Sequence, residues 1–169
     1  ITANRIRALV QDAIFSRPPA MFNYTGIFIG GWDVNLAAAM LDQARQAQVP
    51  PFEVSILADP NGAYTTSAAL VALIAKHLKT SNIVSFKGLK VKILGGGPVG
   101  LCAAILIAQQ GGKVDLVRLT PARQDKQQAI SHFSQQYNVS LGHLDGETDE
   151  QKALAIKDAQ VLIASAKAG

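Results

Sequence analysis

Short apolar runs alternate with longer stretches of helical spacing along the whole chain, which predicts an α/β protein built on parallel strands. In the first half, residues 26–29 read as a strand and Gly30-Gly31 turns the chain. A helix follows from about Val34, with Leu36, Met40, Leu41 and Ala44 at one-face spacing and Asp33 placed to cap it. Residues 52–58 predict a second strand. It ends in Asp59-Pro60-Asn61-Gly62, a turn signal because proline presets φ and glycine accepts positive φ. The next helix, from about Thr65 to Leu78, is expected to bury Leu70, Ile74 and Leu78. Between Lys79 and Lys90 polar residues and Gly88 break any helical period, and a domain hinge is expected there.

The second half is more regular. Residues 90–94 form a strand that enters a glycine-rich turn, and an apolar helix leaves it with Leu101, Ile105 and Ala108 inward. Gly111-Gly112 stops that helix, and residues 114–119 form the next strand. Thr120-Pro121 opens a helix, cap followed by proline, with Ile130, Phe133 and Tyr137 facing in. Residues 139–144 give a third strand. Thr148 and Gln151 have capping-box spacing, and the helix they open leads to a last apolar strand at 161–164. The expected division is an N-terminal α/β domain over residues 1–82 and a Rossmann-type dinucleotide-binding domain over 83–169. Both are expected to be partial, since the chain opens ITANRIR without methionine and stops at Gly169 just after a strand.

Composition narrows the class. A chain of 169 residues, 49% hydrophobic and 17% charged, can bury one sizeable core or two small ones sharing an interface. The longest nearly apolar run, 99–108, is too short to cross a bilayer, and no secretory signal pattern is present. A single cysteine, Cys102, excludes an internal disulfide and a multi-cysteine metal site; a reducing, cytoplasmic setting is expected, with Cys102 a small core residue. The net charge is +4, but the sixteen Lys and Arg are dispersed, without the aromatic-interleaved stripe of a nucleic-acid binder. They are a solvated surface or, where Lys76, Lys79, Lys87, Lys90 and Lys92 gather before the glycine turn, an attraction for an anionic small molecule.

The chemistry-bearing motif is VKILGGGPVG, residues 91–100. Gly95, Gly97 and Gly100 supply G-x-G-x-x-G between a strand and a helix: the first permits the tight turn, the second admits a pyrophosphate, the third lets helix and strand pack closely. Pro98, Val99 and Gly100 begin the helix, whose N-terminal N–H groups face phosphates. At the end of the second strand a carboxylate would hold the ribose 2′-hydroxyl of NAD. Asp115 comes too early for that role, whereas Arg118, with Arg123 beyond it, would attract a 2′-phosphate. NADP is therefore expected, with NAD as the alternative; the competing reading is that both arginines are simply solvated. Ser165, Ala166 and Lys167 follow the last strand, where such folds often touch the nicotinamide half.

Four stretches together carry a family resemblance: LVQDAIFSR from Leu9, IFIGGWDV from Ile27, PPFEVSILADPNGAYTTSAALVA from Pro50, and KGLKVKILGGGPVG from Lys87. With them the chain resembles the methylene-tetrahydromethanopterin and methylene-tetrahydrofolate dehydrogenases of methylotrophic bacteria. The resemblance implies a two-domain oxidoreductase with a pterin site between an N-terminal α/β domain and the dinucleotide domain. Asp59, Asn61, Thr65 and Thr66 would lie on the substrate side; the bland alternatives are an Asx turn at Asp59 and helix capping by the threonines. The implied partner is a one-carbon derivative of tetrahydromethanopterin, or alternatively of tetrahydrofolate, and the implied assembly a homo-oligomer.

The implied reaction is hydride transfer from the methylene bridge to NAD(P), leaving a methenyl cation shared by two nitrogens. No proton need leave with the hydride, so ring alignment is the protein's task. Accordingly no catalytic residue is assigned: His77, His132 and His143 have no partner at ligand or triad spacing, and no metal motif is found. Two other classes stay open: a non-catalytic dinucleotide-binding module, and a shikimate-type or amino-acid dehydrogenase, against which counts the absence of a lysine near Asp59.

Overall fold

Strand β1 (Gly26–Ile29) pairs in parallel with β2 (Ser55–Ala58), Ile27 opposite Ile56 and Ile29 opposite Ala58. The structure is a computed structural model that describes residues 2–120 and 124–166. It divides into two units, Ile1–Gly62 and Ala63–Gly169.

In the first unit, α1 (Ile6–Phe15) buries Ile6, Val10 and Ile14, one row at i, i+4, i+8. Helix α2 (Val34–Gln46) starts where Asp33 expects it to: the carboxylate accepts from Asn35 N at 2.9 Å and Leu36 N at 3.0 Å. Its inner face is Val34, Ala37, Ala38, Met40 and Ala44, while Leu36 stays 38% exposed, against expectation. Small alanines let α2 lie close to β2 and α1, and that close approach turns Leu36 to the rim. β2 begins later than residue 52 because Val49 and Phe52 bond to each other, Phe52 N to Val49 O at 2.6 Å and Val49 N to Phe52 O at 3.2 Å. Those backbone groups are unavailable for a ladder.

The second unit opens with α3 (Ala63–Thr80), which packs on α4 (Pro98–Gln109). The row it buries deepest is Ala63, Ser67 and Val71, with the expected row of Leu70, Ile74 and Leu78 only half-buried beside it. Ser67 is tolerated inside because its hydroxyl donates to Ala63 O at 2.6 Å. After α3 the broken segment is anchored: Phe86 is 1% exposed and Gly88 N donates to Gly111 O at 2.8 Å. Burying that ring contributes roughly 1.5–3 kcal/mol.

Four parallel strands form the sheet of this unit in the order β5-β4-β3-β6: β3 (Lys90–Leu94), β4 (Lys113–Arg118), β5 (Leu141–Asp145) and β6 (Val161–Ala164). α4 is buried nearly all round, Gly100 to Ile105 and Ile107, because α3 covers one side and strands the other. α5 (Gln124–Gln136) buries Ile130 and Phe133. Tyr137 differs from expectation, since it lies past the helix end, 37% exposed and 5.5 Å from the Phe133 ring. β5 starts after Val139 because Val139 N donates back to Ser134 O at 2.9 Å, closing the helix end. α6 (Asp149–Ile156) opens with the expected capping box of Thr148 and Gln151.

Candidate functional site

The chain direction reverses its walk across the larger sheet at β3. From β3 it steps to β4 and β5 on one side, then returns by α6 to place β6 on the other. Open parallel sheets bind ligands at the carboxyl ends of the strands flanking such a switch point. Here those ends are the glycine turn after β3 and Ser165-Ala166 after β6.

Each glycine has a separate physical reason. Gly95 has φ +102°, the left-handed region that favours glycine, and a Cβ there would meet Ala166 at 3.0 Å. Gly97 is the N-cap of α4 with φ −75° and ψ 178°; a Cβ there would meet nothing within 4 Å, so a ligand can approach its backbone. At Gly100 a Cβ would lie 2.3 Å from Gly95 O and 2.4 Å from Ser165 Oγ, which makes it the packing glycine. Pro98 supplies no N–H, and Val99 and Gly100 hold first-turn N–H groups that a helix leaves without intrahelical acceptors. Ser165 braces the turn, its hydroxyl proton shared between Leu94 O at 3.2 Å and Gly95 O at 3.0 Å. A cavity of about 640 Å³ opens here, lined among others by Gly95, Gly97, Pro98, Arg118, Asp145 and Ser165. These features suit a dinucleotide pyrophosphate: an open glycine backbone, a helix N-terminus and a cradle with no side chain in the way.

Arg118, at the end of β4, is half-buried and engaged by its neighbours. Its guanidinium donates to Asp145 Oδ1 at 2.6 Å, to Thr120 O at 2.7 Å and to Glu147. Hydrogen bonding to Asp145 is the largest of the effects that hold its pKa above the ordinary arginine value. Asp145 and Glu147 were not legible as site residues, because their relevance depends on β5 lying beside β4 with Asp145 opposite Arg118. Arg123 and Lys167 lie outside the described residues.

Two of the lysines before the turn, Lys90 and Lys92, are held in ion pairs. Lys92, 6% exposed, bonds Asp115 Oδ2 at 2.6 Å and Asp158 Oδ1 at 3.1 Å, and Lys90 bonds Asp158 Oδ2 at 2.9 Å. They are tied into the sheet and to the segment after α6, and their charge is compensated there. Gly142 makes room for this pairing, since a Cβ on it would overlap Asp115 Oδ1.

In the first unit, Asp59 follows β2 and its N–H donates to Ile29 O at 3.0 Å. Asn61 sits at φ 51° in the short 3-10 turn Pro60–Gly62. Thr65 and Thr66 are the third and fourth residues of α3, which begins at Ala63, so they are not its caps. A second cavity, about 500 Å³, lies at the end of β1 and takes in Phe28, Gly31, Trp32 and Leu36. Its exposed aromatics, Phe28 at 65% and Trp32 at 79%, were not singled out from the sequence, although a tryptophan directly after Gly30-Gly31 is a usable signal. Among the described residues no helix is long and apolar enough to cross a membrane, and no group of three or more His, Cys, Asp or Glu is placed to hold a metal ion.

Residues 1–61 match the family described as methylene-tetrahydromethanopterin dehydrogenase, N-terminal. The chain is 38% identical, over 96% of its length and 54% of the relative's, to the NAD(P)-dependent methylenetetrahydromethanopterin dehydrogenase of Methylorubrum extorquens. It is 31% identical to the bifunctional protein MdtA of the same organism, over 100% of this chain and 57% of that one. The chain thus spans about half the length of the curated relatives it matches. Among solved structures, shikimate 5-dehydrogenase from Listeria monocytogenes superposes with a TM-score of 0.51 over 98% of this chain and 56% of that one, at 14% identity, a likeness of fold alone. The family match thus lies in the first 61 residues, and the likeness to the methylenetetrahydromethanopterin dehydrogenase of Methylorubrum extorquens runs over nearly the whole of this chain.

Proposed function

We propose that the protein oxidises the methylene bridge of methylene-tetrahydromethanopterin to the methenyl form by hydride transfer to a nicotinamide dinucleotide. The observation that carries this reading is the glycine turn, with Gly97 open and Gly100 packed, in a chain 38% identical to an NAD(P)-dependent dehydrogenase of that pterin. A bound nicotinamide supplies the hydride acceptor. The chain's own contribution is positional: Gly97 admits the pyrophosphate, the Val99 and Gly100 N–H groups bind it, and Ser165 holds the turn in place. Asp59, Asn61, Thr65 and Thr66 are proposed to contribute to pterin binding, with residues 1–82 as the pterin-side domain and 83–169 as the dinucleotide domain.

Methylene-tetrahydrofolate is the alternative substrate, and a shared assay separates the two. The intact protein is supplied with each methylene-pterin and with NAD or NADP, and methenyl absorbance is followed together with that of the reduced nucleotide. Formation of both at equal rates from methylene-tetrahydromethanopterin supports the reading. No turnover with either pterin overturns it, and dinucleotide binding without turnover leaves a non-catalytic binding module.

A further inference from the structure

Taken as a lone cation at the end of β4, Arg118 points to a 2′-phosphate and hence to NADP. Its surroundings reverse that inference. Asp145 faces it across the β4–β5 ladder, and Gly146 N donates to Arg118 O at 2.8 Å, which brings the next residue, Glu147, onto the same guanidinium. Gly146 is needed for that approach, since a Cβ there would lie 2.6 Å from Val117 Cγ1. One positive charge therefore carries two negative ones, and three of its N–H donors are already bonded, to Asp145, Glu147 and Thr120. The Arg118 side chain is 28% exposed, and its partners Asp145 and Glu147 reach further into solvent at 63% and 37%.

Among the described residues, a 2′-phosphate entering beside Arg118 would meet a cluster of net negative charge. To bind the edge of the guanidinium that faces Asp145 and Glu147, it would have to displace a carboxylate and leave that carboxylate unpaired. A 2′-hydroxyl has no such conflict, because it can donate to a carboxylate that Arg118 holds in place. Asp145 lines the cavity that also contains Gly95 and Gly97, so it stands on the dinucleotide's side of the cluster.

We propose that the Arg118–Asp145–Glu147 cluster selects the dinucleotide without a 2′-phosphate, NAD, with Asp145 as the hydroxyl acceptor and Arg118 and Glu147 as positioning residues. This rests on the reading of the turn as a dinucleotide site, and it commits to β5, rather than the end of β4, as the source of the discriminating carboxylate. NADP bound at the paired edge of Arg118 enters at the expense of an ion pair.

The test is direct binding of NADH and NADPH to the intact protein by calorimetry, without any pterin, in the wild type and in Glu147→Gln and Asp145→Asn. The wild type is expected to bind NADH about tenfold or more tightly than NADPH, the equivalent of one charge-assisted hydrogen bond. Glu147→Gln frees Arg118 for the phosphate and is expected to raise NADPH affinity and narrow that ratio. Asp145→Asn is expected to narrow it also, by weakening NADH; it keeps the test alive if the other variant misfolds. A wild type that prefers NADPH, or a ratio that neither variant moves, overturns the proposal and leaves the dinucleotide site standing. Binding of neither nucleotide overturns both.

Discussion

The hydroxyl of Ser165 lies 3.0 Å from the carbonyl oxygen of Gly95, so a residue at the end of β6 holds the first glycine of the turn that follows β3. The same side-chain oxygen would stand 2.4 Å from a Cβ at Gly100, and the Ser165 N–H donates to Leu94 O at 3.0 Å. Strand end, turn and helix start therefore converge on one serine. Ser165→Ala removes the shared hydroxyl bond and keeps the backbone one. The expected loss is about 1 kcal/mol of unfolding free energy, read from urea denaturation. An unchanged midpoint would mean that the hydroxyl does not brace the turn.

Acid should loosen the second unit from a different place. Asp158 accepts from Lys90 at 2.9 Å and lies 3.1 Å from Lys92. Those two lysines, Lys90 first, lower its pKa from 3.8 to about 2. A carboxylate whose folded pKa is depressed favours the folded state above its unfolded pKa, and that contribution drains away as pH falls through the folded value. Stability measured by denaturant midpoint should therefore fall between roughly pH 4 and pH 2, and Asp158→Asn should flatten that part of the profile. An identical slope in wild type and variant would show that other carboxylates govern the acid limb.

Much of this architecture was legible in the residues, and the parts that were not have a common cause. Local signals succeeded: Asp33 caps α2, Thr148 and Gln151 form the capping box, and the glycine spacing marks the turn after β3. What failed needed knowledge of neighbours. α3 presents Ala63, Ser67 and Val71 rather than its larger residues because helix against helix rewards close approach, which composition does not reveal. Lys90 and Lys92 looked like charges gathered near a phosphate site until Asp115 and Asp158 came to meet them. Arg118 likewise changed meaning only when β5 brought Asp145 and Glu147 to its side.

Gly97 and Gly100 give the sharpest separation of binding from stability, because they differ in what surrounds them. At Gly100 a methyl group would press on Gly95 O at 2.3 Å, a backbone atom that cannot withdraw without opening the turn. Gly100→Ala should cost about 1–3 kcal/mol in unfolding free energy by overpacking. At Gly97 the backbone is extended, at φ −75°, and nothing lies within 4 Å of the added carbon. Gly97→Ala should therefore leave unfolding within about 0.5 kcal/mol of the wild type. The same methyl group points into the space proposed for the pyrophosphate, where it should weaken NADH binding about tenfold or more, as an overpacked contact of 1–3 kcal/mol would. Denaturation and calorimetry on the two variants check both halves of the argument. If Gly97→Ala bound NADH as tightly as the wild type while remaining folded, the pyrophosphate would not lie against Gly97, and the glycine turn would have a purely structural role.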